Sequence, residues 1–163
     1  MLIPRGVIPN ARLWAICRSP TAEVVLRDLA EAAGLGARLQ VDSAGISDWH
    51  AGEAPDPRSQ SHALKRGYDL SGLRARGVRA DDFERFDLLL AMDDSHLVEL
   101  RRQCPPNRLG RLQLFLPGRS VPDPYNGGAG DFEQVLDLIE QGCADRLTKI
   151  FHQGAEPRPP ILD

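Results

Sequence analysis

Cys17, Arg18, Ser19 and Pro20 stand together where a helix is expected to begin. Proline suits the first turn of a helix because its missing N–H would have no partner there, and the preceding serine is a good N-cap. The guanidinium of Arg18, the loop amides and the positive end of the helix dipole can then converge on one anion. The segment therefore predicts an oxyanion site that Arg18 grips.

A distant carboxylate supplies the second half of this chemistry. Asp123 lies between Pro122 and Pro124, which stiffen the backbone and hold the side chain in one place, as a general acid requires. Alone, the Asp-Pro pair indicates no more than a turn. Together with Arg18 it favours phosphate chemistry, in which Asp123 protonates a leaving alkoxide. Tyr125 and Trp49 are candidate aromatic walls for a flat substrate ring, although packing would explain either residue equally well.

Composition narrows the class of protein. The chain has 163 residues and a formal net charge of −3, without a basic stripe, so nucleic acid is an unexpected partner. Three separated cysteines predict neither disulfides nor a thiolate metal site, and four scattered histidines lack ligand spacing. No apolar run reaches the length of a membrane span. We expect one cytoplasmic domain over residues 1–153, no membrane association, no metal or cofactor, and a disordered tail over 154–163.

The elements that must position these residues follow from periodicity and turn signals. Gly34 and Gly67 supply helix stops, and the apolar run Phe-Asp-Leu-Leu-Leu-Ala-Met is typical of a buried parallel strand. A polar loop carrying Trp49 and a second one rich in proline and glycine follow two of the strands. The predicted helices are 20–33, 59–66, 95–103 and 131–151, the last capped by Asp131, and the predicted strands are 39–43, 86–92 and 112–116.

Strands that alternate with helices predict an α/β fold with a mainly parallel sheet and helices on both faces. In such folds ligands bind beyond the carboxyl ends of the strands, where the long loops meet. The predicted architecture and the candidate site residues therefore agree.

The chain resembles the low-molecular-weight protein-tyrosine phosphatases from about residue 16 to residue 150. The resemblance rests on six motifs in order: Ile-Cys-Arg-Ser-Pro-Thr-Ala-Glu at 16–23, Asp-Ser-Ala-Gly at 42–45, Ser-Asp-Trp-His at 47–50, Asp-Pro-Arg-Ser at 56–59, Leu-Ala-Met-Asp at 90–93 and Pro-Asp-Pro-Tyr at 122–125.

This resemblance implies a four-stranded sheet and cofactor-free hydrolysis of phosphotyrosine or small aryl phosphates through a phosphocysteine, with inorganic phosphate as product. By position, Arg18 would clamp the phosphoryl oxygens, Ser19 would stabilise the thiolate and Asp123 would be the general acid. Ser43 would support the phosphate loop from below, and Trp49 and Tyr125 would flank the substrate ring. The phosphate would be surrounded by the loop residues Leu13, Trp14, Ala15, Ile16 and Cys17.

The chain departs from the family pattern where the nucleophile should stand. Arg12 occupies the position of the nucleophilic cysteine, and Trp14 and Ala15 replace a Gly-Asn pair. Arginine stays protonated and cannot attack phosphorus. Cys17 adjoins Arg18 and would not start a loop of the right size. Residues 1–15 are atypical for the family, and a shifted reading frame is one hypothesis for their origin.

Three functions remain open on the sequence. The chain is an impaired or inactive phosphatase-family domain, a non-catalytic pseudophosphatase that binds phosphate or phosphotyrosine, or an arsenate-reductase-like protein. The last would also need the missing cysteine and further redox cysteines. Arg12 argues against an active enzyme and favours a catalytically dead phosphate-binding protein, and Asp123-Pro124-Tyr125 favours the phosphatase family over the arsenate reductases.

Overall fold

The computed structural model describes residues 11–16 and 19–152. Four strands occur in these ranges: β1 (Ala11–Ile16), β2 (Leu39–Ala44), β3 (Leu88–Ala91) and β4 (Leu112–Leu114). They form one sheet in the order β2-β1-β3-β4, and every pairing is parallel. The predicted α/β class with a parallel sheet is confirmed.

The same ranges contain five α-helices between and after the strands: α1 (Ser19–Ala32), α2 (Pro57–Lys65), α3 (Asp82–Arg85), α4 (Asp94–Gln103) and α5 (Ala129–His152). Short 3-10 turns at Gly36–Arg38 and Pro106–Arg111 lead into β2 and β4. Within the described ranges, no helix combines the length and the apolar character that crossing a bilayer requires.

The hydrophobic core has one layer on each face of the sheet. Successive residues of a strand point to opposite faces. Leu90 of β3 accordingly packs with Val25 of α1 and Ile139 of α5, whereas its neighbour Leu89 packs with Phe83 of α3 and Leu100 of α4. Helices therefore cover both faces, as the sequence pattern predicted.

Most predicted elements are present, with shifted ends. The strands predicted over 86–92 and 112–116 are shorter, and β2 extends one residue further, to Ala44. Gly67 follows α2 with a φ of +89°, a left-handed conformation that glycine adopts without strain, so its predicted role in closing the helix holds. The predicted tail over 154–163 lies outside the described residues.

All four predicted helices begin earlier than expected: α1 and α4 by one residue, and α2 and α5 by two. The helix α2 begins at Pro57, because the Asp56 carboxylate accepts the Arg58 N–H at 2.7 Å and caps the helix there. The helix α5 begins at Ala129, so the prediction that Asp131 caps it is wrong. Asp131 is instead in the first turn, where its carboxylate accepts the Gly128 N–H at 2.8 Å.

Candidate active site

A cleft of about 600 Å³ opens beside the carboxyl end of β2 and the start of α1. Its walls come from the first turn of α1, the loop that follows β2, the helix α2, the segments around Arg76 and Asp123, and the first half of α5. Three of the predicted site residues line it together, namely Ser43, Asp123 and Tyr125. The loop after β2 and the segment around Asp123 both line this cleft, as expected for long loops at the carboxyl end of the sheet.

Trp49 lies on the loop after β2 but is not among the residues that line the cleft. Its side chain is 88% exposed. Neighbouring residues of the same loop do reach the rim, where the His50 and Glu53 side chains are 2.9 Å apart. As an aromatic wall Trp49 would have to close over a bound ring.

The Asp123 carboxylate is held by its own turn. Its Oδ1 accepts the backbone N–H of Tyr125 at 3.0 Å, and Pro122 and Pro124 flank it. Asp123 is exposed to solvent at the cleft wall. A carboxylate fixed in this way is placed for proton transfer to or from a group bound in the cleft.

Ser43 is tied to the first turns of α1. Its hydroxyl donates to Glu23 Oε2 at 2.5 Å, and the guanidinium of Arg27 donates to the other oxygen of the same carboxylate. Glu23 is only 4% exposed. The pair anchors the end of β2 to the helix whose first residue is Ser19. Glu23 was part of a recognised motif but its own role was missed, because only the tertiary fold brings it to Ser43.

The aromatic wall of the cleft contains more than Tyr125. The ring of His62 stacks on Phe132 with centroids 5.4 Å apart and an interplanar angle of 6°. The Arg58 guanidinium lies over both Phe132 and Tyr125. Sequence reasoning missed these three supporting residues; the Asp-Pro-Arg-Ser motif contains Arg58 but does not reveal which rings it covers.

Two half-buried charged side chains, Asp56 and Arg76, are also held in place by ion pairs near the cleft. The hydrogen bond from Arg58 lowers the pKa of the Asp56 carboxyl from its ordinary value. Arg76 lines the cleft and pairs with Asp42 and Asp82, each at 2.8 Å. Although burial works in the opposite direction, these hydrogen bonds raise the pKa of Arg76. The positive charge of Arg76 is therefore paired within the protein, with Asp42 and Asp82.

Four of the residues expected to form a phosphate-binding loop lie in a β-strand instead. Leu13, Trp14, Ala15 and Ile16 belong to β1, whose register pairs Ile16 with Ala44 and Ala15 with both Ser43 and Leu90. A strand paired on both edges uses its amides for the sheet. Leu-Trp-Ala-Ile suits an extended strand, whereas glycine and asparagine reach the left-handed conformations of a tight loop.

The structure gives limited information on Arg12, Cys17 and Arg18. Cys17 and Arg18 lie outside the described residues. Arg12 is the second residue of β1 and pairs with Gln40 of β2. Among the residues that the structure describes, no group of three or more histidine, cysteine, aspartate or glutamate side chains is placed to hold a metal ion.

Comparison with known proteins identifies the family. The family model described as low molecular weight phosphotyrosine protein phosphatase matches residues 13–155. A putative low molecular weight protein-tyrosine-phosphatase of Synechocystis is 41% identical, over 85% of this chain and 92% of that protein. A low molecular weight protein-tyrosine-phosphatase of Streptomyces coelicolor is 40% identical, over 85% of this chain and 89% of its own length.

Solved structures agree with this result. A protein tyrosine phosphatase from Entamoeba histolytica, crystallised with Hepes in the active site, superposes with a TM-score of 0.84 at 30% identity, covering 88% of this chain and 99% of that one. YfkJ from Bacillus subtilis superposes with a TM-score of 0.82 at 33% identity, covering 91% and 98%. The chain therefore belongs to the low molecular weight phosphotyrosine protein phosphatase family.

Proposed function

We propose that this chain is a phosphatase-family domain that retains the general-acid side of the site but has little or no phosphatase activity. The family reaction would be hydrolysis of phosphotyrosine or an aryl phosphate, with Asp123 protonating the leaving oxygen. Attack on phosphorus needs a thiolate, and Arg12 offers a guanidinium that is always protonated.

The observation that carries this proposal is the extent of β1. The strand continues through Leu13–Ile16 and stays paired with β2 as far as Ala44. Amides that bond to neighbouring strands are not free to cradle a phosphoryl group. The proposal thus rests on a missing nucleophile and on a backbone that differs from a phosphate-binding loop.

The described cysteines do not offer a replacement nucleophile. Cys104 and Cys143 are both buried, and burial raises the pKa of each thiol, so neither favours the reactive thiolate form. Buried thiols also weaken the arsenate-reductase alternative, which needs accessible redox cysteines. Free thiols are usual in a reducing compartment, which supports a cytoplasmic location as part of the proposal.

A second function is binding without catalysis. The helix α1 begins at Ser19, directly after Arg18, and the start of a helix with an adjacent arginine attracts oxyanions. The cleft beside it has a volume of about 600 Å³, which is large enough for an aryl group, and Tyr125 is in its wall. A phosphotyrosine peptide or inorganic phosphate would therefore be the ligand of a pseudophosphatase.

Hydrolysis of p-nitrophenyl phosphate by the purified full chain tests the proposal. We expect the hydrolysis rate to equal the uncatalysed rate in buffer, and we expect the same rate for the Asp123→Ala variant. Turnover that Asp123→Ala abolishes would overturn the proposal, and Cys17→Ser would then show whether Cys17 attacks. Calorimetric titration with inorganic phosphate, with Arg18→Gln as control, tests binding separately.

A further inference from the structure

Arg146 carries a buried charge that no described carboxylate neutralises. The residue lies in the last third of α5 and is 6% exposed. Its Nε donates to the Phe115 carbonyl at 3.0 Å, Nη1 donates to Gln113 Oε1 at 2.8 Å, and Nη2 donates to the Leu114 carbonyl. All three acceptors are neutral, and burial lowers the pKa of Arg146. A buried charge is costly when no opposite charge accompanies it.

A depression of about 350 Å³ lies beside this guanidinium. Arg101 of α4 and Lys149 of α5 line it, and both are exposed. Neither residue has an ion pair or hydrogen bond with another residue in the described ranges. No acidic residue is among the described residues that line the depression. Asp145 is one turn before Lys149, but its carboxylate accepts the Gln141 amide and does not line it.

We propose that this depression, the α4–α5 basic pocket, binds a small molecule through a phosphate group. Three cations converge on it, so a phosphate dianion would neutralise most of the charge whereas a carboxylate would neutralise one unit. A guanidinium has five N–H donors, and Arg146 uses three of them inside the protein. One N–H on each Nη remains for a ligand.

The size of the pocket supports a small ligand rather than a macromolecular surface. Its volume lies at the lower end of the range typical of small-molecule sites, roughly 300–1,000 Å³. Leu97 and Pro117 provide apolar wall beside the cations. Such a site binds a phosphorylated metabolite with a short carbon skeleton.

The α4–α5 basic pocket is separate from the cleft that contains Asp123. Of the residues that the structure describes, none lines both. Both touch α5, but the cleft uses that helix as far as Leu136, and Arg146 follows about 15 Å further along the axis. The inference is therefore independent of whether the domain hydrolyses phosphate esters.

Titration of the ¹⁵N-labelled full chain with inorganic phosphate tests this inference. We expect saturable shifts of the Leu97, Gln113 and Gly118 amide signals. The double variant Arg101→Gln/Lys149→Gln should weaken that binding at least about tenfold, since each removed charge takes away a charge-assisted hydrogen bond. Both side chains are exposed, so the variant should stay folded.

The matched control is Lys65→Gln/Arg79→Gln, which removes the same charge from exposed positions outside both cavities and should leave the binding unchanged. Arg18→Gln should also leave the three amide shifts in place, which separates this site from the cleft. The proposal is overturned if those amides do not shift, if they shift equally in Arg101→Gln/Lys149→Gln, or if acetate or chloride at equal ionic strength produces the same shifts.

Discussion

The guanidinium carbon of Arg58 lies 5.4 Å from the centroid of the Tyr125 ring. The same group is 4.8 Å from the Phe132 ring centroid, and its Nη2 donates to Asp56 Oδ2 at 2.9 Å. Asp56 caps α2, and Tyr125 donates its N–H to Asp123. The arginine thus links the start of α2 to the segment that carries the candidate general acid.

Arg58→Ala should release the Tyr125 ring. The face of an aromatic ring attracts a cation. Tyr125 is 65% exposed, so without the guanidinium its ring would lose this contact and move more freely. The chain has only two tyrosines, so tyrosine-selective labelling gives signals that Tyr125→Phe assigns. We expect Arg58→Ala to shift the Tyr125 ring signals and to leave those of Tyr68 in place.

The matched control for this measurement is Arg74→Ala. Arg74 is also exposed, but its guanidinium donates to the Ser71 and Leu73 carbonyls and covers neither tyrosine. It should shift neither set of ring signals. Unchanged Tyr125 signals in Arg58→Ala would contradict the linking role of the arginine.

Replacing three residues should restore phosphatase chemistry. Arg12→Cys supplies the thiol, and Trp14→Gly with Ala15→Asn lets the backbone leave the strand for a loop. Removing a covalent nucleophile costs about 10⁶ in turnover in a serine protease, so the triple variant should hydrolyse p-nitrophenyl phosphate at least about 10³ times faster than the chain as it stands. Initial rates at equal protein concentration measure the gain.

The control for the triple variant has the same glycine and asparagine replacements but no thiol at position 12. Arg12→Ser with the same Gly and Asn replacements should remain inactive, because a serine hydroxyl without a general base is a poor nucleophile. An inactive triple variant with native circular dichroism would mean that the defect lies elsewhere in β1.

Sequence patterns predicted the scaffold better than they predicted the site. The helices and the strands β2 to β4 follow local rules: periodicity, the Ser19-Pro20 helix start, and glycine stops. The contact between Ser43 and Glu23 and the stacking of Arg58 on Phe132 join residues from different elements, so no local pattern reveals them. The strand through Leu13–Ile16 shows the same limit, since the family motif indicated a loop there and apolar residues next to β2 and β3 formed a strand.

Gly142 of α5 should not tolerate a side chain. A Cβ there would lie 2.5 Å from Phe115 Cε1 and 2.9 Å from Leu116 Cδ2, and both neighbours are buried. Overpacking a core costs about 1–3 kcal/mol, whereas alanine gains up to about 1 kcal/mol over glycine inside a helix. Gly142→Ala should therefore lower the free energy of unfolding in urea.

Gly130→Ala is the control for this substitution. Gly130 also belongs to α5, and a Cβ there would meet no described residue within 4 Å. Its free energy of unfolding should stay the same or rise slightly. Equal midpoints for Gly142→Ala and the unchanged protein would show that Phe115 can move aside.

Tyr68 should titrate well above an ordinary tyrosine. Its side chain packs against two core clusters, and burial, followed by a hydrogen bond with Glu140, raises its pKa to about 12. The neutral phenol is therefore bound more firmly in the folded protein than in the unfolded chain. Its contribution to stability is complete below pH 10 and is lost as the pH rises through about 12.

Absorbance at 295 nm in Tyr125→Phe isolates this titration, since Tyr68 is then the sole tyrosine. At pH 11 about 10% of Tyr68 should be ionised in the folded protein, against about 90% for a tyrosine with a pKa of 10. Circular dichroism at the same pH verifies that the chain is folded. Ionisation near 90% in folded protein would mean that water reaches the phenol and that Glu140 does not hold its proton.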